Sequence, residues 1–463
     1  MTDAIELQLA SQEPAHLAEL LELLSIPSIS ALPEHAADIE RAAEFVAGAL
    51  KRAGVPEVEI APTAGWPSVL GRWQIDDQLP TVLVYGHFDV QPADPLKLWD
   101  SPPFAPEIRD SDIYARGAAD MKANLLAIIN AVAAFQRTAG APPLNMAFLF
   151  EGEEEIGSPN LAPLLEAKRE LLAADVVLSV DGGMEGPDTP SLTVSSKGLA
   201  ACQIDLSTST TDLHSGVYGA TVPNAARAIA TLVASFHDDA GRVAVAGFYD
   251  DARDLTAADR AEIAAPPDDD AAVRAQAGVD ELAGEAGYTP RERMWARPTL
   301  DVNGIWSGFQ GAGTKTVTPA KAHAKITCRL VPDQDPARIL DLIERHVAER
   351  LPAGATATLV RFPGSAYPAA IRRDHPALEA AKATLRQAYG GTEPLITRTG
   401  GTVPAIALLQ RILGAETVSL AFSLPGSRMH APNEWFRLSD FHRAPRVFTA
   451  YLTALAAGGM KSA

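Results

Sequence analysis

The sequence predicts an α/β protein built from one domain with a mostly parallel central sheet flanked by helices, and an inserted α+β domain with an antiparallel sheet. Three observations carry this. The chain has 463 residues, too many for one ordinary core. Its first part alternates short, β-rich apolar runs with helix-like stretches, the pattern of a parallel sheet buried on both faces. Its middle changes to strands that alternate apolar and polar residues, as in an antiparallel sheet with one wet face.

Taken in order, residues 35–53 carry helical spacing. TVLVYG at 81–86 is a short strand that stops at glycine. MKANLLAIINAVAAFQR at 121–137 has helical length and composition, and LNMAFLF at 144–150 and DVVLSV at 175–180 are strand-like. The inserted part begins with an alternating strand, LAACQIDLS at 199–207, followed by a helix over 221–237. Residues 250–297, rich in Ala, Asp and Arg and containing PPDDD at 266–270, read as a solvated helical excursion. AHAKITCRLVP at 322–332 is a strand and 336–351 a helix. Helices on one face of an antiparallel sheet fit this region. ALEAAKATLRQAY at 377–389 resumes a helical pattern, and TVSLAFS at 417–423 is strand-like. Residues 1–195 and 370–463 are therefore expected to form one discontinuous domain, with 196–369 inserted into it. No internal repeat is present.

Composition narrows the partners. The chain is 47% hydrophobic and 21% charged, as in globular proteins, and 39 basic against 58 acidic residues give a net charge of −19. That charge argues against nucleic acid and against anionic membranes. No run is expected to span a bilayer. The opening MTDAIELQLASQEPAH lacks a basic start and an apolar core, so no signal peptide is expected. Cys202 and Cys328 lack metal-ligand spacing and read as buried thiols in a reducing cytoplasm.

Chemistry is concentrated after the strands. His87 and Asp89 follow TVLVYG, and Asp120 follows YARGA at the start of a predicted helix. Glu154 and Glu155 follow LNMAFLF within EGEEEIGS. Asp181 follows DVVLSV, and His430 follows TVSLAFS past a turn. Ligands of open α/β sheets bind beyond the carboxyl ends of strands. An aspartate after a strand is commonly a turn or helix cap, but five strand ends bearing histidine or carboxylate are unlike chance. Two imidazoles and several carboxylates suit divalent ions such as zinc, manganese or cobalt, and two ions better than one. Dications would also make the crowded acid of EGEEEIGS tolerable, leaving one glutamate free to accept a proton from water.

The segments HFDVQ, YARGAADMK, EGEEEIGS, DLHSG, KTVTPAKAHAKITCRLVP and MHAPNE together resemble the dinuclear metallopeptidases of the aminoacylase, carboxypeptidase G and succinyl-diaminopimelate desuccinylase family, and within it the carnosinase-like cytosolic non-specific dipeptidases. The resemblance runs from about residue 80 to 435. It implies two divalent ions, zinc first and manganese or cobalt as alternatives. His87 and Asp181 would hold one ion, Glu155 and His430 the other, and Asp120 would bridge them, with a cis peptide bond after it. Glu154 would be the general base and Asp89 would orient His87. The inserted domain would be a lid and dimerisation domain of a homodimer. From it His214 would reach the partner's active site to stabilise an oxyanion, and Arg329 would bind the substrate's terminal carboxylate. The loop RTGGTVP at 398–404, with Gly400 and Gly401, would lie at the substrate. There Thr399 and Thr402 stand where many relatives carry an acidic residue and serine, which touches specificity.

The implied reaction is hydrolysis of dipeptides or short peptides in the cytoplasm. N-acyl-amino-acid deacylase, desuccinylase and carboxypeptidase activities would use the same centre. A non-catalytic ligand-binding relative would have lost ligands or base, and here every such position is filled. A purely scaffolding dimer would leave the metal-ligand constellation unexplained.

Overall fold

A computed structural model describes residues 2–267 and 270–458. The chain divides into two compact units: Met1–Val194 with Ala370–Thr397 and Ala405–Ala463, and Ser195–Ala369 with Arg398–Pro404. The sequence placed 398–404 with the first unit. It joins the second because its polar groups are used there. Lys197 donates its backbone N–H to the Gly401 carbonyl at 3.0 Å, Arg329 reaches the Thr402 hydroxyl at 2.7 Å, and Arg398 pairs with Asp259 at 3.1 Å.

In the first unit the strands run, across the sheet, Glu57–Ala61, Ser68–Trp73, Asn145–Glu151, Thr81–His87, Val176–Ser179, Glu416–Ser419, Ser191–Ser196 and Ala369–Ala370, with Leu395–Thr399 also paired to Ser191–Ser196. The middle four are parallel, while strands toward either edge run antiparallel. Alternate residues of Thr81–His87 serve two cores. Val82 and Val84 face one, with the helices Ala36–Arg52, Ala123–Ala139 and Leu438–Ala457; Leu83 and Tyr85 face the other, with Leu161, Leu165 and Leu409. Burial on both faces explains why these strands read as unbroken apolar runs.

The segment Ala118–Ala139 is long and apolar enough to cross a bilayer, contrary to the expectation that no run is, but 94% of its window is buried inside this core. Its apolarity serves an all-round buried helix. The helix Thr2–Leu24, with Pro14 inside it, and the helix Leu438–Ala457 were not expected from sequence.

The second unit has a four-stranded antiparallel sheet in the order Thr299–Ser307, Lys321–Leu330, Gly198–Ser207, Thr356–Arg361. Every second residue of Gly198–Ser207 is buried, and these side chains meet Ile229 and Leu232 of the helix Ala225–Ala234 and Ile339 and Ile343 of Pro336–Arg350. This is one-sided packing, as the alternation predicts. The excursion contains the helices Ala257–Ala264, Asp270–Ala277 and Pro290–Ala296. Of the PPDDD segment, Asp268 and Asp269 lie outside the described residues.

Candidate metal centre

Sheet register builds the site. His87, the last residue of its strand, pairs with Glu151, and Tyr85 pairs with Ser179. The carboxyl ends of three parallel strands are therefore level, and His87, the Glu154–Glu155 turn and Asp181 emerge side by side. Asp120 comes from the turn before the helix Ala123–Ala139, and the Asp120–Met121 peptide bond is cis. His430 comes from the 424–434 loop. It adopts φ 62°, and Arg428 and Asn433 are also left-handed. Such backbone costs non-glycine residues about 1–2 kcal/mol, and clusters where a side chain must be aimed.

Two groups of ligand atoms share Asp120. His87, Asp120 and Asp181 form one, and Asp120, Glu155 and His430 the other. His87 Nε2 lies 3.1 Å from Asp120 Oδ1 and 3.9 Å from Asp181 Oδ2. His430 Nε2 lies 2.9 Å from Asp120 Oδ2 and 3.1 Å from Glu155 Oε2. Each oxygen of Asp120 thus faces a different imidazole. Tetrahedral bonds of about 2.1 Å to one ion would set neighbouring ligand atoms about 3.4 Å apart, so the donor set fits two divalent ions sharing one carboxylate.

Electrostatics agree. Asp89, Asp120, Glu154, Glu155 and Asp181 crowd around two imidazoles. Burial alone would lower the pKa of His87, but hydrogen bonds to Asp120 and Asp89 raise it well above the ordinary value. Hydrogen bonds to Asp120 and Glu155 push His430 up to about 10. Burial, opposed by His87 and reinforced by Asp181 and Glu155, raises Glu154 to about 9. Burial and then Asp120 raise Asp181 to about 7. Asp120 goes the other way: burial is outweighed by its two histidine partners, and it titrates well below the usual range. Beyond burial, the neighbouring carboxylates push Glu154, Asp181 and His430 the same way, and dications would relieve that surplus of negative charge.

The glutamates of EGEEEIGS have separate surroundings. Glu151 is buried and accepts from Tyr85 Oη at 2.7 Å and Ser158 Oγ at 3.0 Å. Glu153 is buried and accepts from Trp66 N and Asn160 Nδ2. Glu155 accepts from Gln91 Nε2 at 2.8 Å and faces His430. Glu154 is the member whose carboxylate makes no hydrogen bond among the described residues, and it remains half-buried over the centre.

Asp89 is fully buried. Its carboxylate accepts from the backbone N–H of Glu154 and Glu155, while its own carbonyl oxygen lies 3.1 Å from His87 Nδ1 and its Oδ1 3.4 Å from that nitrogen. One residue thereby fixes both the imidazole and the glutamate turn. Glu434 was missed from sequence although it stands in the quoted HAPNE. It is fully buried, accepts from the backbone N–H of Gly117, Ala119 and Asp120, and pairs with Arg116 at 2.7 Å. It holds the turn that presents Asp120. Gln91 was also missed; only its place in HFDVQ could have suggested it.

The remaining expected residues lie in the second unit. His214 is exposed, ends the two-residue strand Leu213–His214, and accepts the Gly216 N–H at Nδ1. Arg329 is half-buried and lines a cavity with Gly400; the Gly401 N–H donates to Thr399 Oγ1.

A mixed α/β unit presenting two carboxylate-bridged ligand groups defines a dinuclear metallohydrolase fold. The profile of peptidase family M20/M25/M40 matches residues 83–454, and the chain belongs to that family. It is 31% identical over 421 residues to the cysteinylglycine-S-conjugate dipeptidase of Corynebacterium striatum, covering 90% of each chain. It is 28% identical to the human beta-Ala-His dipeptidase, covering 84% of this chain and 78% of that one. Among solved structures, the M20 family metallo-carboxypeptidase Sso-CP2 from Sulfolobus solfataricus is similar with a TM-score of 0.79 and 32% identity over 96% and 99% of the two chains. The dipeptidase Dug1p from Saccharomyces cerevisiae follows with 0.74 and 25%, over 99% of each.

Proposed function

We propose that the protein is a metal-dependent dipeptidase that hydrolyses dipeptides or short peptides with free C-termini. The observation that carries this is the Asp120 carboxylate, each oxygen of which faces a different histidine-carboxylate group. The dipeptidase relatives, similar over most of their length, favour that substrate class.

His87 and Asp181 would hold one ion, Glu155 and His430 the other, and Asp120 would bridge them. Zinc suits this nitrogen and oxygen set best, with manganese or cobalt as alternatives. When bound, the ions would supply Lewis acidity toward the scissile carbonyl and acidify a water molecule. Glu154, with no competing hydrogen bond, accepts the proton of the attacking water and returns it to the leaving amine. Asp89 keeps His87 and the Glu154 turn in place. Arg329 takes the terminal carboxylate of the peptide, and His214, exposed on the second unit, donates to the developing oxyanion in a partner's site.

A homodimer through the second unit is supported by the edge strand Thr299–Ser307. Among the described residues one of its sides is unpaired, and Val302, Ile305 and Trp306, with nearby Phe309, are exposed. Such an edge is a template for pairing with a second copy. The buried free thiols Cys202 and Cys328 suit residence in the reducing cytoplasm.

The test is a hydrolysis panel on protein reconstituted with Zn²⁺, Mn²⁺ or Co²⁺. Free dipeptides are cleaved and C-terminally amidated dipeptides are not. Preference for N-acetyl or N-succinyl amino acids would move the activity to the deacylases.

A further inference from the structure

The second unit contains a cavity of about 580 Å³ whose wall includes Lys197, Arg293, Arg297, Arg329, Asp301 and Gly400. Its cations are not equally provided for. Arg297 is buried and forms a two-pronged pair with Glu285, both N–O distances being 2.7 Å. Arg293 donates to the backbone oxygens of Glu285 and Ala283. Lys197 is only 3% exposed, and its ammonium donates to one neutral acceptor, the Arg293 carbonyl, at 2.9 Å. Arg329 donates to the Thr402 hydroxyl. Among the described residues neither Lys197 nor Arg329 has a carboxylate within ion-pair distance.

A buried ammonium without a counter-ion is costly. Here the cost is visible: burial first, and then the nearby Arg329 charge, push the Lys197 pKa down to about 8, so it remains largely cationic at neutral pH. Asp301 opposes this only from an exposed position on the edge strand, where its carboxylate accepts the Thr299 hydroxyl at 2.8 Å. The wall is also closely built. A Cβ on Gly400 would come within 2.9 Å of the Met294 carbonyl, so backbone forms the boundary there. Two cations with no paired carboxylate, on one cavity of small-molecule size, describe a receptor for two negative charges.

We propose that this cavity is an anion pocket in which Lys197 receives the side-chain carboxylate of a peptide ending in glutamate or aspartate, beside Arg329. The proposal rests on the reading that Arg329 takes the terminal carboxylate of a dipeptide. Lys197 then makes the pocket selective among dipeptides: a neutral C-terminal residue leaves its ammonium without a counter-ion, and an acidic one supplies it.

The decisive comparison is kcat/KM for Ala-Glu against Ala-Gln, two peptides of nearly equal shape that differ in one charge. The wild-type protein favours Ala-Glu by roughly tenfold or more, the scale of one charge-assisted hydrogen bond. Lys197→Met brings the ratio toward one, and Lys197→Arg keeps it well above one. Asp301→Asn, an exposed change that tests the same field without touching the buried lysine, raises the ratio. A wild-type ratio near one, or a preference that survives Lys197→Met in protein that melts normally, overturns the proposal. Loss of folding in Lys197→Met leaves Asp301→Asn to decide, and an unchanged ratio there counts against it. Cleavage of other free dipeptides but of neither of these overturns this proposal alone, whereas cleavage of no free dipeptide refutes the dipeptidase reading and this proposal with it.

Discussion

The two units carry opposite electrostatic imbalances. In the first, five carboxylates surround two imidazoles, and Glu154, Asp181 and His430 all titrate upward. In the second, Lys197 and Arg329 line one cavity without a paired carboxylate among the described residues, and burial moves Lys197 downward. Excess negative charge calls for cations and excess positive charge for an anion. Burial is the largest cause of the Glu154, Asp181 and Lys197 shifts, and what separates the units is the sign of the charge left for a ligand to balance, as proposed for the metal centre and the anion pocket.

The contrast can be broken most forcefully at Glu154. Glu154→Gln lowers kcat by about two to four orders of magnitude while two metal ions per chain remain bound by elemental analysis. Near-normal turnover would remove Glu154 as the base. Glu434→Gln comes next. A neutral amide has one oxygen for donors that the carboxylate now satisfies with two, so the Asp120 turn loosens. Metal affinity, read by chelator competition, falls roughly ten- to a hundredfold. A lowered melting temperature with unchanged metal affinity would restrict Glu434 to a structural role.

On the positive side, Arg329→Met raises KM for free dipeptides more than it lowers kcat and narrows the discrimination against amidated ones. Unchanged discrimination would place the carboxylate contact elsewhere.

The smallest effect concerns acid stability. Burial, then Arg350, holds buried His346 of the second unit at a pKa of about 4, against 6.5 unfolded. Its imidazole stacks on Phe236 and lies 2.9 Å from Ser235 Oγ. Below pH 6.5 the unfolded chain binds a proton that the folded chain refuses. Stability from this group is therefore complete above 6.5 and declines as pH falls toward 4. Denaturant midpoints at pH 7 and 5 differ for the wild-type protein and less for His346→Gln; equal slopes would exclude this histidine.

Much of the first unit was legible because its strands are short, apolar and followed at once by polar residues. The histidine and carboxylates at those ends therefore stood out. Glu434 was not legible, because a buried carboxylate held by backbone N–H groups and by Arg116, more than 300 residues away in the chain, leaves no spacing signal. The Ala118–Ala139 helix shows the limit of hydropathy: a helix buried on every side and one facing lipid have the same composition. The 398–404 loop was misplaced because its allegiance is set by hydrogen bonds to Lys197, Arg329 and Asp259, distant in sequence. Lys197 drew no notice, since a single lysine between strands ordinarily faces solvent.

The shared Asp120 also imposes an order in time. His87, Asp120 and Asp181 all precede the second unit in the chain, whereas His430 and the Glu434 clamp follow it. A ribosome making this protein has supplied every candidate ligand of one group before the inserted unit is translated, yet cannot complete the other until that unit has been made. Assembly of the centre is thereby tied to the last part of synthesis, since even the first group depends on Glu434 to hold the Asp120 turn.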